Sequence, residues 1–315
     1  MISITRYDDS FRNLWDDFCK NSKLPLFMFE RNFMEYHKHR FTDHSLIFFE
    51  DDKIIALLPM NESDGQLFSH AGLTYGGFIV DSKMKQHTMN ECFDRLLEYA
   101  KQNNFKSILY KTVPHIFHTY PAEEDRYALF CHKASMFKSE PATVVKLDSP
   151  LKMPKGRKAQ ISRAKREGVI VRELTEKEDF ITFITLENEV LNKHHGATAV
   201  HSGEEMYLLY SRFPKNIHLY GAFLNNEMIA GSVLYEYPET VHTTYLAAND
   251  TARIIGALDL TISVMIEQFK GSKRWFDFGI STENNGTILN EGLISQKEGF
   301  GGRTNTYDTW IIELK

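Results

Sequence analysis

The chain has 315 residues, of which 42% are hydrophobic and 25% are charged, as in ordinary folded proteins. This composition excludes a mainly disordered, collagen-like or coiled-coil protein, and the length suits about two domains. The formal net charge of -5 argues against a general nucleic-acid-binding protein, although a local basic patch is compatible with it. No apolar run approaches the ~20 residues that cross a bilayer, and the N-terminus lacks a signal-peptide pattern. Three widely spaced cysteines indicate a reducing compartment, so we expect a soluble cytoplasmic protein with no metal site and no integral membrane segment.

The first half of the chain mixes helical and strand patterns. Two short apolar runs around Asp51-Asp52 predict a β-hairpin, and a Gly-punctuated strand segment follows it. A further strand is predicted at 105–110, and TVVKL closes the half as a strand. Apolar spacing predicts helices over 9–20, 30–39, 83–102 and 122–134.

The second half shows a similar order of elements. A basic helix over 157–167 ends at Gly168, and a strand follows. Thr175 with Glu178 has the spacing of a capping box for the next helix. After a second helix, the predicted order is three strands, a helix over 256–270, the strand RWFDFG, a helix over 288–298 and a last strand. Antiparallel strands followed by β-α-β crossings predict a mixed α/β sheet covered by helices. The prolines near residue 150 place the domain boundary there, which gives domains 1–150 and 151–315.

Several segments resemble one enzyme group. KGRKAQISRAKREGVIVREL and the pair GALDLTISVMIEQFKGSKRWFDFGIST and EGLISQKEGFGG are similar to the Fem-type acyltransferases of the GCN5-related N-acetyltransferase superfamily. HSLIFFEDDKIIALLPMN, LFSHAGLTYGGFIV and HTYPAEEDRYAL resemble the N-terminal domain of the same group. The resemblance implies two tandem acetyltransferase-like domains and an acyl-transfer site. It also implies a donor that is acetyl-CoA or another acyl-CoA, or alternatively an aminoacyl-tRNA. The acceptor would be a small or nucleotide-linked molecule, such as a bacterial peptidoglycan or polysaccharide precursor.

Donor-binding residues are predicted in two places. Arg157 and Lys158 lie in a run of basic residues without an acidic neighbour before Glu167, which suits phosphates of CoA, of a nucleotide-linked sugar or of tRNA. The alternative for this run is a solvated helix face. The resemblance assigns the donor's pyrophosphate to the turn that contains Arg253 and Gly256, where Leu258 replaces the usual small residue.

Acceptor-binding residues are expected from the resemblance. It places Lys297, with Phe300 beside it, at the substrate cleft and His195 on an acceptor loop. Tyr75 is a candidate for the opposite wall. For His195 the alternative is a helix end at which cations are favourable. For Lys297 the alternative is a cation near a helix end that is followed by Gly299, and for Tyr75 it is a plain β-turn.

Tyr245 is a further acceptor-binding candidate on the strand TVHTTYLAA. Regular alternation puts Tyr245 and His242 on opposite faces of this strand, so that one of the two faces the cleft.

Two carboxylates are candidates for the catalytic base. Asp277 lies among aromatic residues on a strand that we expect to be buried, where burial would raise its pKa. A structural ion pair or hydrogen bond is the competing interpretation. Glu236 is a second candidate, near the end of its strand.

Two functions fit these patterns. The first is an enzyme that transfers an acyl or aminoacyl group from CoA or tRNA to an amine. The second is a non-catalytic ligand-binding protein on a duplicated acetyltransferase scaffold. An enzyme should have a continuous channel from the strand end near Ala248 to Lys297, whereas a binding protein could fill it with side chains. The oligomeric state does not follow from the sequence.

Overall fold

The computed structural model describes residues 1–314, with the side chains of His194 and His195 excepted. Up to Lys146 the chain alternates short strands with helices. The helices are α1 (Arg12–Lys20), α2 (Arg31–Met34), α3 (Gln86–Gln102) and α4 (Glu124–Cys131). The strands are β1 (Ile2–Arg6), β2 (Thr42–Asp43), β3 (Leu46–Glu50), β4 (Lys53–Leu58), β5 (Asn61–Ser63), β6 (Gln66–Phe68), β7 (Ile79–Val80), β8 (Ser107–Lys111) and β9 (Ser135–Lys146).

From Pro154 onwards helices again alternate with strands. The helices are α5 (Lys155–Arg166), α6 (Lys177–His195), α7 (Gly203–Arg212), α8 (Asp250–Ile255), α9 (Ala257–Phe269) and α10 (Glu291–Glu298). The strands are β10 (Ile170–Leu174), β11 (Ile217–Leu224), β12 (Glu227–Glu236), β13 (Thr240–Ala248), β14 (Trp275–Ile280), β15 (Thr282–Glu283), β16 (Ile288–Leu289) and β17 (Arg303–Glu313). No helix among these is both long enough and apolar enough to cross a bilayer.

The chain divides into two units. The first consists of Met1–Pro141, Thr282–Ile288 and the residues from Thr306 onwards. The second consists of Ala142–Ser281 and Leu289–Asn305. The chain therefore enters the second unit within β9 and leaves it for the last time within β17.

Within the first unit, β1, β3, β4 and β7 form an antiparallel sheet in the order β1-β3-β4-β7. The central strand β8 pairs antiparallel with β17 and parallel with β6, which continues through β5 to β2. Apolar side chains on the amphipathic helix α3, such as Phe93 and Leu96, are fully buried and pack with Phe48, Phe78 and Tyr110 from the strands.

The second unit is built on one mixed sheet. Its strands follow the order β10-β11-β12-β13-β14-β9, and all neighbours are antiparallel except β13 and β14. The parallel pair results from the crossing through α8 and α9, which joins β13 to β14. This arrangement confirms the predicted mixed α/β fold.

The two large helices of the second unit cover opposite faces of its sheet. Phe183 of α6 lies so close to Gly231 that a Cβ atom there would be 2.8 Å from its ring. Ile262 of α9 instead shares an apolar cluster with Leu234, three residues from Gly231 on β12. Residues three apart on a strand point to opposite faces, so α6 and α9 lie on either side of the sheet.

Several predicted element boundaries were wrong. The helix predicted over 256–270 is preceded by α8, and Gly256 separates α8 from α9 in a left-handed conformation. Thr175 does not cap α6, whose N-cap residue is Glu176 without a side-chain cap bond. A complete capping box is instead formed at α7 by Ser202 and Glu205.

Candidate active site

Strands β13 and β14 separate after a short parallel contact. They pair at Thr240–Trp275, Val241–Phe276 and His242–Asp277, and β13 then continues to Ala248 with β12 as its partner strand. Beyond His242, the peptide groups of β13 that do not bond to β12 therefore point into a gap between β13 and β14. Such groups can pair with the backbone-like amides of a ligand, as at the open edge of a sheet.

A β-bulge shapes the same stretch of β13. Val233 lies opposite Tyr245 and the next residue, Leu234, lies opposite Thr243, so Thr244 is the extra residue. The partner of His242 is Tyr235, which lies on the same face of β12 as Val233. His242 and Tyr245 consequently share one face of the sheet. The prediction of opposite faces was wrong, because simple alternation does not anticipate a bulge.

A cavity of about 840 Å³ lies at this divergence. Leu246 and Ala248 of β13 line it together with Phe278 of β14. Both covering helices also contribute, with Glu187 from α6 and Ile262 from α9. Since α6 and α9 lie on opposite faces of the sheet, the cavity passes between the separated strands. Its remaining lining residues are Pro154, Gly156, Arg157, Gln160, Val190, Leu191, Ala252, Arg253, Gly256, Leu258, Asp259, Leu293, Ser295, Gln296, Lys297, Gly299 and Phe300.

Arg157 connects three helices at the wall of this cavity. Its guanidinium forms an ion pair with Asp259 in the first turn of α9 and donates a 3.1 Å hydrogen bond to the carbonyl of Gln296 on α10. It also lies 4.6 Å from the ring centroid of Phe300, a cation–π distance. Burial raises the pKa of Asp259, and Arg157 opposes that rise by stabilising the carboxylate. Arg157 thus holds α5, α9 and α10 together, in addition to lining the cavity.

The turn at Gly256 is tightly packed. Gly256 has φ of +81°, and a Cβ atom there would lie 2.7 Å from the carbonyl oxygen of Gln160 on α5. Both facts require glycine at this position. Arg253 donates through Nε to the carbonyl of Ala248 at 3.2 Å, which fixes the end of β13 beside the cavity.

Lys297 is buried, with 5% of its surface exposed. Its ammonium donates to the carbonyl of Gly279 at 3.1 Å and to that of Ile280 at 2.5 Å. Burial lowers the pKa of Lys297 to about 8, although the negative charge of Asp277 opposes this shift. The side chain therefore connects α10 to the end of β14 and lines the cavity, which differs from an exposed cation at a helix end.

Residues 155–285 match the family model described as an acetyltransferase (GNAT) domain. The matched segment contains the separated strands and most of the residues that line the cavity. No curated protein matches the sequence.

Solved structures are similar to this chain over its full length. FemX superposes with a TM-score of 0.70 at 11% identity, covering 99% of this chain and 97% of FemX. L-PGS from Bacillus licheniformis gives 0.65 at 14% identity, covering 98% and 93%. A tandem GNAT protein from the clavulanic acid biosynthesis pathway gives 0.56 at 11% identity, covering 100% and 99%. The chain thus has the tandem fold of these structures, which confirms the fold implied by the resemblance in its sequence.

Five of the predicted site residues line this cavity. They come from α5, the α8–α9 turn and the segment around α10, and the fold brings them to one place: Arg157, Arg253, Gly256, Lys297 and Phe300. Lys158 instead projects from α5 as an exposed side chain and is not among the described lining residues. This difference follows from helix geometry, because adjacent residues point about 100° apart.

The two predicted catalytic carboxylates are placed away from the cavity wall. Asp277 is fully buried, receives a 3.0 Å hydrogen bond from the Gly279 N–H and lies 2.7 Å from His242 Nδ1. Glu236 is bonded to His218 at 2.8 Å and to Lys273 at 2.7 Å. Burial raises the pKa of Glu236, but these two partners outweigh burial and the net pKa is lowered. Both carboxylates therefore contact other side chains or the backbone of the sheet, and neither is among the described residues that line the cavity.

The remaining predicted acceptor residues are distributed differently. Tyr245 has its hydroxyl 2.6 Å from His201 Nδ1, so it fixes the loop before α7. Burial raises the pKa of Tyr245 to about 12. Tyr75 belongs to the first unit, where its ring is 1% exposed and packs against Phe117 and Tyr307. The side chain of His195 lies outside the described residues.

Glu187 is a cavity residue that the sequence interpretation missed. It is 6% exposed, and its Oε2 atom accepts no hydrogen bond from the residues that the structure describes. Burial alone raises its pKa to about 7. A signal was present in the sequence, because Glu187 interrupts an apolar helical stripe whose other members are Phe180, Phe183, Ile184, Val190 and Leu191.

The buried Glu187 should make stability depend on pH. Its pKa is raised from 4.5 to about 7 on folding, so the folded protein binds more protons between these values and stability falls as pH rises through them. Glu187→Gln should therefore be more stable than wild type at about pH 8 by on the order of 2–3 kcal/mol, and the gain should vanish near pH 4. Urea unfolding across this range measures the difference. Glu189→Gln, an exposed change on the same helix, should show no such trend.

The described residues contain no group of three or more His, Cys, Asp or Glu side chains arranged to hold a metal ion.

Proposed function

We propose that this chain transfers an acyl group from an acyl-CoA thioester to a primary amine, with the donor bound between β13 and β14. The acceptor is a small or nucleotide-linked molecule. The observation that carries the proposal is the cavity that passes between two parallel strands within the acetyltransferase domain.

The shape of the gap suits an extended donor with amide groups. Pantetheine, the arm of CoA that bears the thioester, contains two amides that can pair with a strand edge. The stretch from Thr243 to Ala248 presents such an edge, and the Thr244 bulge locally redirects its peptide groups. Backbone N–H groups aimed at the thioester carbonyl would stabilise the negative charge that develops on its oxygen during attack.

Direct attack by the amine accounts for the side chains present. The cysteines of the chain, Cys19, Cys92 and Cys131, all lie in the first unit. Ser295 lines the cavity, and no hydrogen bond to a base is observed for it among the described residues. A serine that acts as a nucleophile in a covalent intermediate is activated by an adjacent base. The favoured reaction is therefore a single transfer, in which the C–S bond breaks as the C–N bond forms.

An open cavity also favours an enzyme over a binding scaffold. Ala248 and Lys297 line the same cavity, so the expected channel between them is not filled by side chains.

Isothermal titration with acetyl-CoA and longer acyl-CoAs tests the proposal. We expect saturable 1:1 binding to wild type and loss of binding in Ala248→Trp, because the indole would fill the gap beside β13. Ala199→Trp, on the loop after α6, serves as a control that should bind normally. No binding of any acyl-CoA, together with binding of a charged tRNA, would overturn the assigned donor.

The basic face of α5 provides a further prediction. Lys158 and Arg163 are exposed, and no ion pair is observed for either among the described residues. Reversing both charges should weaken CoA binding by about 3- to 30-fold at low salt, with a smaller effect on dephospho-CoA and at high salt. Reversing the charges of Lys177 and Lys215, which are also exposed, should leave the affinities for CoA and for dephospho-CoA unchanged. Equal affinities for all variants would show that the α5 cations form a solvated face.

A further inference from the structure

Glu187 is a carboxylate at the wall of the cavity whose presence packing does not explain. Its helical neighbours Phe183 and Ile184 are buried and apolar, and Val190 and Leu191 line the cavity beside it. Burying a carboxylate on such a face is costly unless a partner compensates for it. Its Oε2 atom has no hydrogen-bond donor among the described residues, and no described cation forms an ion pair with it.

The charged groups around the cavity lie on other elements. Tyr245, whose hydroxyl is held by His201, interacts electrostatically with Glu187 from β13. The charged side chains on the remaining walls are Arg157 of α5, Arg253 of α8, Asp259 of α9 and Lys297 of α10. Arg157 is paired with Asp259, and Arg253 and Lys297 donate to backbone carbonyls. The observed contacts of these cations thus leave the Glu187 carboxylate available to a cation brought by a ligand.

We propose that Glu187 binds the ammonium form of the acceptor and removes its proton, so that the acceptor is a primary amine that enters the cavity beside α6. This inference rests on the proposed acyl transfer for its catalytic part, whereas the ammonium-binding part stands on the geometry of the cavity. With a pKa of about 7, the carboxyl group is suited to accept and release a proton near neutral pH.

Glu187 takes one proton from R–NH₃⁺, and the lone pair thus freed attacks the thioester carbonyl carbon. The new C–N bond forms, the C–S bond breaks, and the sulfur leaves as a thiolate. The nitrogen of the adduct loses a second proton, which the thiolate takes up, and Glu187 returns its own proton to solvent. The net products are an amide, a thiol and one proton.

The ammonium site can be tested without any acyl donor. Titration of the protein with butylammonium and with 1-butanol, followed by NMR at about pH 8, compares a cation with a neutral molecule of similar shape. A charged hydrogen bond is typically worth ~10- to 150-fold in affinity, so wild type and Glu189→Gln should prefer butylammonium by at least about tenfold. Glu187→Gln should lose this preference. The ammonium site would be overturned if Glu187→Gln preferred butylammonium as strongly as wild type does, or if wild type showed no preference.

The catalytic part is tested by pH profiles of acyl transfer. With a saturating acyl-CoA and a reactive amine, wild-type kcat/KM for the amine should rise through an apparent pKa near 7. Glu187→Gln should lose this limb and about 10²–10⁴-fold in rate, while acyl-CoA affinity stays within about twofold. If kcat/KM of Glu187→Gln for the amine still rose through an apparent pKa near 7, Glu187 would not be the base. If wild type shows the ammonium preference but transfers from no acyl-CoA, the proposed donor fails and the ammonium site stands.

Discussion

Replacing Arg157 by methionine should lower the free energy of unfolding by about 3–5 kcal/mol, because Asp259 would remain buried without its cation. The loss also includes the hydrogen bond to Gln296 and the contact with the Phe300 ring. Methionine keeps most of the side-chain volume, so the change chiefly removes the charge and its directed contacts. Urea unfolding at about pH 8 measures the effect.

The double variant Arg157→Met/Asp259→Leu provides the control for this prediction. Removing both charges leaves no unpaired ion, so much of the stability lost in the single variant should return. The deficit of Arg157→Met should also shrink at acidic pH, where Asp259 becomes protonated in the folded and unfolded states. A single variant within about 0.5 kcal/mol of wild type at pH 8 would show that Arg157 does not hold α5, α9 and α10 together.

Lys297→Met should reduce both stability and activity. The carbonyls of Gly279 and Ile280 would lose their donor in a buried site, and each unsatisfied group costs about 1–3 kcal/mol. A stability loss of roughly 2–4 kcal/mol exceeds the ~0.3–1 kcal/mol expected for a cation that acts only on a helix dipole. Because the ammonium also lines the cavity, kcat/KM should fall by roughly 10- to 150-fold.

Two further measurements separate these effects of Lys297. Lys297→Arg keeps the charge but presents a broader planar group, which should not fit between the two carbonyls. Lys273→Met serves as the matched control, because Lys273 is a largely buried cation that is bonded to Glu236 and is not among the described lining residues of the cavity. This control should lower stability with little effect on kcat/KM. A Lys297→Met protein with wild-type stability and activity would contradict both roles.

Much of the second unit could be predicted from sequence because its signals are local. The hairpin strands, the basic helix α5 and the aromatic strand β14 follow from apolar periodicity and from Gly and Pro positions. The helix α8 was missed because its residues were interpreted as a turn before the longer amphipathic helix. Gly256, with φ of +81°, joins the two helices. The β13 bulge was missed for a related reason, since it depends on the register with β12 and not on the β13 residues alone.

Parts of the candidate site could be predicted from a family resemblance or from a residue that is unusual in its segment. Lys297 and Phe300 were selected through a resemblance, and the fold places both at the cavity. Asp277 was selected because it is acidic among aromatic residues, but such an acid can equally be satisfied by a histidine and a backbone N–H, as it is here. Glu187 has the same kind of signal on a helix, and its lack of a hydrogen bond to Oε2 becomes evident only in three dimensions.

The binding of an acyl donor between the separated strands is tested most directly by a crystal structure with a non-hydrolysable acyl-CoA analogue. We expect the pantetheine arm alongside Thr243–Ala248 of β13, the carbonyl near the Thr244 bulge and the acyl group within reach of Glu187. An analogue bound elsewhere, with the gap between β13 and β14 left free, would contradict it.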